Sequence, residues 1–190
     1  LGINLLSIDS IIAVIDSIEF DFVKAVNTII EYKKYMIDHK ESKFYDQSKK
    51  NWHTLEFKIV SNINTWQAYE EFMNEFPNAN DFSLAKSLYE ELLFKEKTSD
   101  RSLISFEKFL NDNPKTPYRD SLEFMIFKYY GLSNNVDNLK RFVEKYPESK
   151  FIIDAVNIIY HSSDRDLLSL KNLELDETLE DSLKSISKID

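Results

Sequence analysis

The chain has 190 residues, with 33 acidic side chains against 24 basic ones and a net charge of −9. It holds no cysteine, which excludes disulfides, thiolate catalysis and Cys-based metal sites, and its acidic balance opposes a dedicated nucleic-acid binder, whose affinity comes from neutralising phosphates. With two glycines and four prolines in a chain that is 43% hydrophobic, long helices are expected, and a glycine-rich phosphate loop or dinucleotide fingerprint is excluded.

The first predicted element is a helix over residues 3–20, with Ile11, Ile15 and Ile18 on one face. Asp9 and Asp16 interrupt it and no basic leader precedes it, so it does not read as a signal peptide. No apolar run approaches the ~20 residues that cross a bilayer.

From Ile29 onward a motif recurs. Tyr32-x-x-Tyr35-Met36, Tyr69-x-x-Phe72-Met73, Phe106-x-x-Phe109-Leu110 and Leu139-x-x-Phe142-Val143 follow one another at intervals of 37, 37 and 33 residues. A repeat of this length signals stacked units. In the second copy Trp66, Tyr69, Phe72, Met73 and Phe76 share a helical face. Short polar residues stand where each such helix starts, at Asn27-Thr28, Asn64-Thr65, Asp100 to Ser102 and Asn134-Asn135, as orphan N-terminal amides require. Phe76-Pro77, Asn113-Pro114 and Tyr146-Pro147, with His39-Lys40 in the first copy, then stop the helix, because proline disfavours helical angles in its predecessor.

A second helix follows each stop. Ala85, Leu122 and Ala155 lie eight residues after their prolines, with Ser48 as the first-copy counterpart, and Trp52, Tyr89, Ile126 and Ile159 form the next column. The same ruler carried back 37 residues from Ser48, Trp52 and Leu55 lands on Ile11, Ile15 and Ile18. Residues 3–20 thus read as the second helix of a unit without its first. The expected organisation is a single all-α domain over 1–190: a half repeat at 3–20, repeats at about 21–60, 61–97, 98–132 and 133–163, and a polar cap or tail at 164–190.

The stretches from Tyr69 to Ala79 and from Phe142 to Ala155 resemble tetratricopeptide repeats, and more closely the divergent kind found in bacterial outer-membrane assembly lipoproteins. The likeness covers residues 20 to 163. It departs from the family in its longer interval, against a family period of about 34 residues, and in lacking the family's first-helix glycine. The resemblance implies an α/α superhelix, a solenoid of about four and a half helix hairpins. It also makes a bacterial periplasm or envelope plausible, while the lack of cysteine fits the cytosol equally well.

Catalytic chemistry finds no pattern. There is no Gly-x-Ser-x-Gly elbow, and His39, His53 and His161 lack the spacing of a zinc site. His39 sits in the column of Phe76 and Tyr146 and reads as a turn or core residue. The pairs Glu70-Glu71, Glu90-Glu91 and Glu180-Asp181 read as solvated helix faces. No catalytic residue, cofactor or metal is expected.

The leading expectation is a non-catalytic protein-interaction scaffold that binds a peptide or protein segment, not nucleic acid, in a groove lined by the second helices. Their non-core positions, Lys49, His53, Lys86, Glu90, Glu123, Asn157 and Tyr160, are the candidate contacts. The alternative is a structural spacer or assembly domain of a larger protein, which predicts an exposed apolar face at residues 3–18 where a neighbour packs. An enzyme is the least supported reading.

Overall fold

The computed structural model describes residues 7–132 and 136–162. Among these residues there are nine α-helices and no strand: α1 (Ile8–Val26), α2 (Ile29–Asp38), α3 (Tyr45–Ile63), α4 (Trp66–Glu75), α5 (Phe82–Lys97), α6 (Leu103–Asp112), α7 (Arg119–Gly131), α8 (Val136–Lys145) and α9 (Ile152–Ser162). The expected cap or tail at 164–190 lies outside the described residues.

Helix boundaries keep the sequence period. The first helices α2, α4, α6 and α8 are each 10 residues long. Thr28, Thr65 and Ser102 cap α2, α4 and α6: each hydroxyl accepts from the amide three residues on. The turns repeat bond for bond. The amides of Ser42, Ala79, Thr116 and Ser149 donate to the carbonyls of His39, Phe76, Asn113 and Tyr146. The same backbone closure in the first copy shows that Lys40 serves the turn where the other copies have proline.

The residue before each of these three caps is left-handed: Asn27 has φ 52°, Asn64 φ 53° and Arg101 φ 53°. Asparagine tolerates this region because its short side chain bonds locally. Asn27 and Asn64 accept from the hydroxyls of Tyr32 and Tyr69, at 3.1 and 3.2 Å. Asn27 also fixes where α1 ends. The helix runs to Val26, beyond the expected stop at residue 20, because it keeps the full 19-residue length of its counterpart α3.

The chain divides into two compact units, Leu1–Leu93 and Phe94–Asp190. The division falls inside α5, with no linker to announce it in sequence. In the first unit α1 packs on α2, α2 on α3 and α3 on α4. Tyr69, Phe72, Phe76 and Ala85 then form a core with Trp52, Phe57 and Leu88. In the second unit α6 packs on α7, α7 on α8 and α8 on α9. One ring pair recurs in every copy: Phe20 with Tyr35, Phe57 with Phe72, Phe94 with Phe109 and Phe127 with Phe142, at 5.6, 5.4, 5.6 and 5.5 Å between centroids. Each pair joins a second helix to the first helix that follows it.

Candidate functional site

The site begins with what each second helix touches. On α3 the column of Ser48, Trp52 and Leu55 turns toward α2. Trp52 and Leu55 pack against the Tyr32 and Tyr35 cluster, Asn51 donates to the Tyr32 hydroxyl at 3.1 Å, and the Lys33 ammonium lies 4.5 Å from the Trp52 ring centre. Lys33 also pairs with Glu56 at 3.7 Å. A first helix therefore covers this column on its own second helix.

On α1 the same column is bare. Ile11, Ile15 and Ile18 are 45%, 49% and 64% exposed, whereas Ser48 and Ile126, in the columns of Ile11 and Ile15, are both 0% exposed. Ile8, Ile12, Val14 and Phe22 add further exposed apolar surface. Ile12 is apolar at a position where the first three complete copies carry Lys49, Lys86 and Glu123 and the fourth carries Val156. Contiguous apolar surface of this kind on one helix marks a place where something packs. The opposite side of α1 is occupied: Phe20 and Val23 are buried with Tyr32 and Tyr35.

Beside this face lies an open cleft of about 770 Å³, lined by Ile12, Ile15, Asp16, Ile37, His39 and Lys43 among others. A polar network closes one wall. The Tyr35 hydroxyl donates to Asp16 Oδ1 at 2.5 Å and lies 2.7 Å from Ser42 Oγ. Ser42 donates to Asp16 Oδ2 at 2.8 Å, and its oxygen accepts from the Phe44 amide at 2.9 Å. Burial and the Asp16 carboxylate push the Tyr35 phenol up to about 12. His39 stacks on Tyr35 at 4.5 Å, with Nδ1 3.4 Å from Asp16 and Nε2 2.9 Å from Glu19. Asp16 is thus held by Tyr35, Ser42 and His39 at once, and the cluster ties α1 to the α2–α3 turn. Ser42 bonds to the carboxylate rather than to the imidazole, so the set lacks the nucleophile–base contact of a hydrolytic triad.

The expected contact residues separate into two groups. Lys49 and Lys86 are exposed, and Glu90, Asn157 and Tyr160 are half-buried. Lys86 pairs with Glu90 at 3.9 Å. His53 and Glu123, by contrast, are only 7% and 4% exposed and do not present a surface. His53 packs between Trp52 and Phe76, at 5.0 and 4.9 Å, and Arg119 Nε holds Glu123 at 2.8 Å. Phe127 stacks on Phe151 with planes 7° apart. The signal missed for Glu123 is the arginine four residues earlier, one helical turn away.

No group of three or more potential ligands that could hold a metal is present among the described residues, and no described helix is long and apolar enough to cross a membrane. Compared with known proteins, the chain matches no protein-family model and no curated protein sequence.

Proposed function

We propose that the chain is a divergent tetratricopeptide-like superhelix that works as a non-catalytic protein-interaction scaffold, with the bare face of α1 as its principal docking surface. One observation carries this reading. In the column of Ile11 the counterparts Ser48, Ala85, Leu122 and Ala155 are all buried, and in the column of Ile15 Ile126 and Ile159 are buried while Trp52 and Tyr89 are half-buried, yet Ile11 and Ile15 are both about half exposed. Leaving such surface in water forgoes about 25 cal/mol for every Å² that a partner would cover.

The alternative, a structural spacer or assembly domain of a larger protein, draws on the same observation, because the matching column of α3 is covered by the helix that precedes it. Lys49, Lys86 and Glu90 remain a secondary surface of the first unit in either reading, and Asn157 and Tyr160 a separate one of the second.

Site-specific photo-crosslinking in cells that produce the protein tests the proposal. A photoreactive residue at Ile12 is expected to give protein adducts of discrete mass, and one at Lys86 is not. Adducts from Lys86 alone would move the docking surface to the second-helix groove. No discrete adduct from either position would remove the scaffold reading.

A further inference from the structure

We infer that the joint between α1 and α2 is proton-linked: the His39 imidazolium, set between the Asp16 and Glu19 carboxylates of α1, holds α1 in place, and loss of its proton loosens it. The inference concerns only the surface by which α1 meets α2, so it holds whatever lies against the other side of α1.

The same joint recurs within the units, between a second helix and the first helix that follows it. Between α3 and α4, His53 packs on Phe76 at 4.9 Å, and Phe76 shares a core with Phe72 and Ala79. Between α7 and α8, Phe127 packs on Phe142 at 5.5 Å. The α1–α2 joint keeps the positions and changes the chemistry. Asp16 stands in the column of His53 and Phe127, and Tyr35 in that of Phe72 and Phe142. His39 stands in the column of Phe76 and Tyr146, and Ser42 in that of Ala79 and Ser149. Where α3 and α4 meet through rings and a methyl group, α1 and α2 meet through a carboxylate, a phenol, an imidazole and a hydroxyl.

Proton counting gives the direction of the response. The imidazole Nδ1 lies 3.4 Å from Asp16 and Nε2 lies 2.9 Å from Glu19. A neutral imidazole has a hydrogen on one nitrogen and a lone pair on the other, so it repels one of the two carboxylates. The cation attracts both. His39 is also the C-cap of α2, the helix end whose dipole favours a cation. Tyr35 is not the group that responds near neutrality, because burial and the Asp16 carboxylate push its phenol up to about 12. The other charges on the clefts flanking His39 are Asp9 from α1, Glu31, Lys34 and Asp38 from α2, and Lys40, Glu41 and Lys43 from the turn. Four acids there stand against three bases, a near balance, so the two carboxylates against the ring set the sign. Docking of α1 is therefore tightest above the range where carboxylates take up protons and below that where imidazoles lose theirs, and it weakens as the pH rises through the second range.

The test is amide hydrogen exchange, followed by NMR on the 190-residue chain at about pH 5.5 and about pH 7.5. Protection factors remove the pH dependence of intrinsic exchange. Taking the α1 amides from Ile18 to Val23 relative to the α3 amides from Trp52 to Val60 cancels the opposite response of buried His53, which acts on the unit as a whole. Relative α1 protection is expected to fall roughly two- to fivefold at the higher pH, the share of a partly exposed ion pair. His39→Gln keeps a donor that cannot titrate and should abolish the difference. Glu19→Gln, at a half-exposed position, should shrink it. Relative protection in the parent that is flat or higher at the higher pH would overturn the inference, as would the parent's full pH difference persisting in His39→Gln. An unchanged difference in Glu19→Gln would overturn the two-carboxylate arrangement. Equal loss of protection at both pH values in His39→Gln, with the parent also showing no pH difference, would reduce His39 to a packing contact.

Discussion

The ring of Phe94 lies flat on the ring of Tyr118, with centroids 4.4 Å apart and planes 13° from parallel. The same stack joins Phe20 to Phe44 at 4.5 Å and 7°, and Phe127 to Phe151 at 5.7 Å and 7°. Each pair links a second helix to the turn that starts the next second helix. The repeat calls for a fourth pair between Phe57 and residue 81, but Asp81 stands there and accepts instead from the Thr54 hydroxyl at 3.3 Å. Asp81→Tyr is expected to rebuild the missing stack. An aromatic pair is worth about 0.5–1.5 kcal/mol beyond its burial, and the long bond lost is a weak one. Urea denaturation should show a higher midpoint for Asp81→Tyr and a lower one for Tyr118→Ala. A lower midpoint for Asp81→Tyr would mean that the Thr54 bond outweighs the stack.

Ser48 is buried in a column otherwise held by Ala85, Leu122 and Ala155. Its Oγ has no hydrogen-bond partner. A buried hydroxyl without a partner costs about 1–3 kcal/mol relative to its hydrated state. Replacing it with the residue found at two of the other copies removes that cost and leaves almost no void. Ser48→Ala is expected to raise stability by about 1 kcal/mol. A calorimetric melting temperature unchanged or lowered in Ser48→Ala would show that the hydroxyl is satisfied after all.

The left-handed residues give a third prediction. Asn27 and Asn64 repay their backbone conformation with a bond to a tyrosine hydroxyl. Arg101 has the same φ of 53° and bonds through its backbone: its amide donates to the Thr98 carbonyl and its carbonyl accepts from the Tyr129 hydroxyl. A side chain with a Cβ pays about 1–2 kcal/mol in this region, and glycine pays only its extra unfolded-state entropy. Arg101→Gly keeps the carbonyl and should stabilise the protein by about 0.5–1 kcal/mol. Asn64→Ala keeps the strain and loses the side-chain bond, so it should destabilise by about 1–2 kcal/mol. Equilibrium unfolding of the two variants reads both signs, and a loss of stability in Arg101→Gly would sink the argument.

The helix pairs were legible because their signals are local. A cap such as Thr65, a stripe such as Tyr69, Phe72 and Phe76, and a stop such as Pro77 each act within a few residues of one another. The stacks between turns and helices were not legible, because their partners lie 24 residues apart and the second copy breaks the column at Asp81. Periodicity placed His53 and Glu123 beside the core columns but could not say that Phe76 would cover one and Arg119 neutralise the other. The bare α1 face was legible for the opposite reason. Counting back by one period identified Ile11 and Ile15 as core residues, and their exposure then acquired a meaning that exposed isoleucines alone would not have.

Burial of His53 makes the first unit sensitive to acid. Burial disfavours the imidazolium and the nearby Lys49 ammonium repels it, so the pKa is held below the ordinary 6.5; the Glu56 and Asp81 carboxylates oppose this only in part. The unfolded chain therefore binds a proton near 6.5 that the folded chain refuses. Stability is fully present above that value and falls as the pH drops from 6.5 toward the folded pKa. Substituting His53→Phe keeps a ring between Trp52 and Phe76 and removes the titration. Urea midpoints measured at about pH 7.5 and about pH 5.5 should fall less in His53→Phe than in the parent protein. The other titrating groups are common to both chains, so the difference between the two slopes isolates His53. Equal slopes would mean that the imidazole is hydrated in the folded state, and would return His53 to the set of surface residues that can meet a partner.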